Sequence, residues 1–171
     1  MKKKILLVIL VLVGLFTITG CGNKEEKSNN NRSTSNNKTY KCEYSVKNDG
    51  MQTIDEYIIE LDSNKKAVTY SQITGYENAS DSFYKSFCDG IKAKEENHDY
   101  LKMTATCDDS SKKAISTKVY SVSKIRDMSE FSKINEFLNN FTKEDGTFDL
   151  DAFKNYFNTD SLKAGKYTCN F

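Results

Sequence analysis

Apolar residues along this chain recur with two periods, and the changes between them mark its elements. From Thr39 the period is two: Tyr40, Cys42, Tyr44 and Val46 fall on one face of an extended segment. Asn48-Asp49-Gly50 carries turn chemistry. Thr53 to Leu61 predicts a second strand with Tyr57, Ile59 and Leu61 on one face, and Asp62-Ser63-Asn64-Lys65 turns the chain into a third, Ala67 to about Tyr76. The period then lengthens. Phe83, Tyr84, Phe87, Cys88 and Ile91 form a helical stripe that Ser80 or Asp81 can cap, and the helix fades near 94–97.

Alternation returns with Leu101, Met103, Ala105 and Cys107 in a fourth strand; Asp108-Asp109-Ser110-Ser111 leads into a fifth, Ile115 to about Ser123. Asp127-Met128-Ser129-Glu130 reads as a capping box opening a helix with Met128, Phe131, Ile134, Leu138 and Phe141 along one side. Asp145-Gly146 breaks it, Asp149 can cap a short helix carrying Phe153, Tyr156 and Phe157, and Tyr167 to Phe171 is extended. The order β-β-β-α-β-β-α-α-β predicts an α+β fold, an antiparallel sheet of five or six strands with helices on one face. The aromatic stripes are expected to be core rather than a ligand box.

The region before Thr39 follows neither period. Lys2, Lys3 and Lys4 precede an apolar run, Ile5 to Phe16, interrupted only by Gly14. The run is shorter than the roughly 20 residues a membrane crossing needs, and its charged start and small-residue end are those of an export signal. Residues 22–38 contain no apolar side chain, so they cannot bury enough surface to offset the entropy of ordering. Seventeen such residues act as a tether with a root-mean-square span of about 23 Å.

Ile18-Thr19-Gly20-Cys21 stands at the boundary. This start resembles bacterial lipoprotein precursors, whose lipobox is an aliphatic residue, two small residues and a cysteine. The resemblance implies cleavage between Gly20 and Cys21 and diacylglycerol on the Cys21 sulfur. It divides the chain into a signal peptide (1–20), a lipidated cysteine with its tether (21–38) and one domain (39–171). The protein would be held by membrane lipid on the outer face of the cell membrane.

Charge narrows the partner classes. The formal net charge of +1 includes the three lysines of the signal; residues 39–171 carry 18 basic against 22 acidic groups. A mildly acidic domain has no electrostatic footprint for nucleic acid. With Cys21 assigned to lipid, Cys42, Cys88, Cys107 and Cys169 remain, an even number that suits two disulfides in three possible connectivities.

Tyr40-Lys41-Cys42-Glu43-Tyr44 and Tyr167-Thr168-Cys169-Asn170-Phe171 place an aromatic, a cysteine and an aromatic on one strand face at the two ends of the domain. In this the chain resembles a group of small lipoproteins of low-GC Gram-positive bacteria with an early YxC strand and a closing GYTC-like motif, from which Gly165-Lys166-Tyr167-Thr168-Cys169 departs by one inserted residue. The group implies no activity. The favoured pairing is Cys42–Cys169, tying the domain's ends, with Cys88–Cys107, stapling the first helix to the next strand and worth roughly 3 kcal/mol by loop entropy. The alternative is four reduced, buried thiols.

No cysteine spacing suits zinc, and no phosphate-cradling glycine motif occurs. His98, the lone histidine, lies in the polar run Glu95-Glu96-Asn97-His98-Asp99. An EF-hand centred on Gly146 would need oxygen ligands where Phe141 and Lys143 stand. No cofactor is implied. The expected function is a non-enzymatic binding module at the envelope, for an envelope protein, wall polymer or small ligand. The alternatives are a hydrolase using carboxylates such as Asp108, Asp109, Asp149 and Asp151, or a thiol redox protein, although C-x-x-C is absent. Radioactive fatty acid should label the wild-type protein in cells and not Cys21→Ala; equal labelling would remove the anchor.

Overall fold

The computed structural model describes residues 36–158 and 167–171, all within one unit, Thr34–Phe171. In chain order these form β1 (Lys38–Asn48), β2 (Met51–Leu61), β3 (Ala67–Glu77), α1 (Asp81–Lys92), β4 (Glu96–Asn97), β5 (Leu101–Asp108), β6 (Lys113–Ser121), α2 (Val122–Arg126), a 3-10 turn (Ser129–Phe131), α3 (Ser132–Asn139), α4 (Leu150–Asn158) and β7 (Thr168–Cys169). The strands make one antiparallel sheet in the order β4-β5-β6-β3-β2-β1-β7. Strand outweighs helix among the described residues.

Local chemistry sets the connections. Asp49 and Gly50 both take positive φ, 49° and 87°, the conformation whose twist matches a two-residue hairpin. Asp62 Oδ1 accepts from the amides of Asn64 and Lys66, both at 2.8 Å, and so closes the β2–β3 turn. Ser80 caps α1 by accepting from the Phe83 amide, and Asp81 and Lys92 sit at the helix ends that suit their charges. Asp149 caps α4, its Oδ1 accepting from the Ala152 amide at 2.9 Å.

Pairing across the sheet aligns side chains in rows on one face. One row is Tyr40, Ile59, Tyr70, Tyr120 and Leu101, and the next is Cys42, Tyr57, Gln72, Lys118 and Met103. Then come Tyr44, Asp55, Thr74, Ser116 and Ala105, followed by Val46, Thr53, Tyr76, Ala114 and Cys107. The larger buried cluster joins Ile59, Tyr70 and Tyr120 to Ile125 of α2, Leu138 of α3 and Phe153 of α4. The smaller joins Ala114 to Tyr84, Cys88 and Ile91 of α1. Thr74, between the rows that feed these clusters, is exposed.

Cys42 bonds to Cys169, 127 residues apart, and Cys88 to Cys107, 19 apart. The first lies within β7's pairing with β1, where Cys42 faces Cys169 directly. The second fixes α1 to β5 beside the smaller cluster.

Several elements differ from the sequence expectation. The sheet has seven strands rather than five or six, because Glu96–Asn97 pairs with Lys102–Met103 where the helix was expected to fade. The fifth strand ends at Ser121, and Val122–Arg126 is helical. Val122 keeps strand parity, but burying Ile125 with it requires helical spacing. Asp127 opens no helix: it is the C-cap of α2, and neither the 3-10 turn nor α3 has a side-chain cap. The helix expected to reach Phe141 ends at Asn139, with Phe141 buried beyond it. Gly20, Cys21, the signal peptide and all of the tether but its last residues lie outside the described residues, as do Gly165 and Lys166.

Candidate ligand pocket

A cavity of about 240 Å³ lies where β2 and β3 meet α3, α4 and the chain end. Tyr57 of β2 and Tyr70 and Gln72 of β3 share the sheet face described above; Lys133, Ile134 and Phe137 come from α3, Tyr156 and Phe157 from α4, and Tyr167 precedes β7. Ring centroids are 4.8 Å apart for Tyr57 and Phe157, 4.9 Å for Phe157 and Tyr167, and 5.9 Å for Tyr57 and Tyr167. At such spacing the rings support one another and keep the cavity walls in place. Tyr156 stays 40% exposed, so part of the wall is open to solvent. The exposed Lys133 stands at the rim.

Asp55 lies one position from the pocket on the same strand face. The Tyr167 hydroxyl donates to Asp55 Oδ2 at 2.5 Å, and Oδ1 is buried without a hydrogen-bond partner among the described residues. Burial raises the Asp55 pKa above its ordinary value, and hydrogen bonding from the Tyr167 and Tyr57 hydroxyls opposes the rise without cancelling it. Burial, then the Asp55 charge, pushes Tyr57 up to about 12; Tyr167 is raised by burial and by its hydrogen bond to Asp55. Tyr70 is raised mainly by burial, and its oxygen accepts from Gln72 Nε2 at 2.9 Å. All these phenols are therefore protonated at neutral pH. They offer hydrogen bonds, not nucleophiles.

The residues singled out from the sequence are dispersed. The Cys42–Cys169 bond lies beside the pocket, two residues from Tyr167, whereas Cys88–Cys107 belongs to the α1 end. Asp108 serves its own turn: Ser110 and Ser111 donate to it and hold its pKa low. Asp149 is occupied as a helix cap, and Asp151 is exposed on α4. His98 stacks on Tyr100 with centroids 5.0 Å apart and stands 3.5 Å from Glu96 in an exposed position. Asp145 accepts from Thr147 within its turn.

Sequence reasoning passed over Asp55, Tyr70 and Gln72. The signal was present, since Asp55 is a charge at an inward position in the alternation Thr53-Asp55-Tyr57-Ile59-Leu61. The aromatic stripe is mixed: Phe153 and Phe157 are core, while Tyr156 faces the cavity with a large exposed part. No family model, curated protein or solved structure matches the chain.

The direction of the Asp55 shift fixes a pH effect. The folded state keeps this proton to higher pH than the unfolded chain, so stability falls as pH rises from the ordinary value of 3.8 through the raised one. Asp55→Asn can still accept from Tyr167 and carries no charge. Its melting temperature should exceed the wild type's at pH 7 and converge on it below pH 4; a variant less stable than wild type at pH 7 would contradict the assignment.

Proposed function

We propose that this is a lipid-anchored extracytoplasmic protein whose domain is a non-enzymatic binding module. The observation that carries the reading is the aromatic cavity with Asp55 beside it. Ligand sites combine apolar and aromatic walls with a few placed polar groups, as this cavity does. The anchor rests on the lipobox ending in Cys21 and on the polar residues that follow it. Two acyl chains hold a protein at a membrane far more firmly than one. The tether then keeps the domain within a few nanometres of the outer face, where its partner is a component of the envelope.

The same reading takes both helical groups to cover one face of the sheet. The rows that feed the larger cluster with α2, α3 and α4, and the row that feeds the smaller with α1, belong to that face. Between the groups runs a polar strip of Asp55, Gln72, Thr74, Ser116 and Lys118, in which Thr74 is exposed, Ser116 is buried and the other three are half-buried. A hydrolase acting on glycosides would need a pair of carboxylates across the scissile bond. Among the described residues the cavity lining contains none, and Asp55 lies next to it.

Isolated cell-wall material should retain the purified protein, and Tyr156→Ala, which alters an already exposed ring, should be retained several-fold less. Equal retention of the two would exclude the cavity as the binding site. Release of soluble fragments from the wall material would exclude a non-enzymatic role.

A further inference from the structure

We infer that the cavity and the adjoining strip bind an uncharged glycan, one pyranose ring seated among the tyrosines and the chain continuing over Thr74. This rests on the binding reading above and names its ligand class. A pyranose is amphipathic. Its C–H groups form an apolar face, and its hydroxyls ring the edge with both donors and acceptors.

The cavity matches both features. Tyr57 and Tyr156 supply aromatic surface for the C–H face, with the buried Phe157 packed against both. Tyr167 gives its proton to Asp55, so its oxygen keeps lone pairs for a sugar hydroxyl. Tyr70 accepts from Gln72 and is buried, so it backs the cavity wall. A purely hydrocarbon ligand would leave the free lone pairs of the Tyr167 oxygen unused. A ligand of single charge fits less well. An anion would approach Asp55, and a cation would approach Lys133 at the rim and Lys118 on the strip. The volume, about 240 Å³, falls below the roughly 300–1,000 Å³ of drug-sized sites and suits one ring rather than two.

The strip extends the same chemistry. Asp55, Thr74 and Ser116 lie on one cross-strand row, with Gln72 and Lys118 on the next. Thr74 is exposed although it lies on an interior strand of the sheet. Asp55 Oδ1 and Ser116 Oγ are buried without partners among the described residues, so hydrogen-bonding capacity remains unused beneath the strip. The exposed Thr74 and the half-buried Gln72 and Lys118 offer donors and acceptors to a linear polyol lying across the strands.

The test is calorimetric titration of the full-length chain in detergent with chitotetraose, cellotetraose and maltotetraose. At least one tetrasaccharide should bind, about tenfold or more tightly than its own monosaccharide. Thr74→Trp, at an exposed position, should melt as the wild type does and bind at least about tenfold more weakly. No binding by any tetrasaccharide at millimolar concentration would overturn the glycan assignment. Wall retention that still depends on Tyr156 would then show that the binding reading survives with another ligand class. Tetrasaccharide binding unaffected by either Thr74→Trp or Tyr156→Ala would overturn the site.

Discussion

The Cys42–Cys169 bond is the constraint on which the pocket depends. β7 has two residues and, among the described residues, pairs only with β1. Backbone bonding is confined to that two-residue pairing and its flank, where the Asn170 amide donates to the Lys41 carbonyl and the Lys41 amide donates to Asn170 Oδ1. Ordering residues 167–171 costs about 5–10 kcal/mol of backbone entropy, whereas each hydrogen bond returns about 1 kcal/mol net. Closing a loop of 127 residues removes about 5 kcal/mol of that freedom from the unfolded chain in advance. Ring contacts supply much of the rest, with Phe171 edge-on to Tyr40 at 5.3 Å and Tyr167 against Phe157. The covalent tie is therefore what makes so short a strand a dependable part of the sheet.

Once β7 is fixed, Tyr167 is fixed, and Asp55 follows from it. The Tyr167 hydroxyl covers the carboxylate and bonds to it, and this contact closes one wall of the cavity. The arrangement costs stability at neutral pH, because a carboxylate is held partly buried beside phenols and not beside a base. Such costs are common at functional sites and also occur in purely structural networks. The second disulfide acts elsewhere. It fixes α1 to β5 beside the smaller cluster.

The hairpins and α1 could be read from the chain because their determinants are local: Asp49-Gly50, the Asp62 turn and Ser80 each act within a few residues. α2 was hidden because Val122 continues the parity of Tyr120, and only Ile125, three residues on, shows the helical turn. β4 and β7 are too short for periodicity to register, and their partners are set by tertiary pairing. The site was partly written in the chain. Asp55, Gln72, Thr74, Ser116 and Lys118 are polar residues at inward strand positions, and together they mark a gap in the core. Which aromatic rings line that gap depends on how α3, α4 and the distant Tyr167 come together, and no local pattern encodes it.

The central claim is that closing the chain's ends builds the environment of Asp55. Carbon-13 NMR titration of the Asp55 carboxyl, in the wild type and in Cys42→Ser/Cys169→Ser, reads that environment directly. The account predicts a wild-type midpoint above the ordinary aspartate value of 3.8, and a return toward that value in the double variant with the remainder of the sheet still folded. An elevated midpoint that persists unchanged without the disulfide would contradict it.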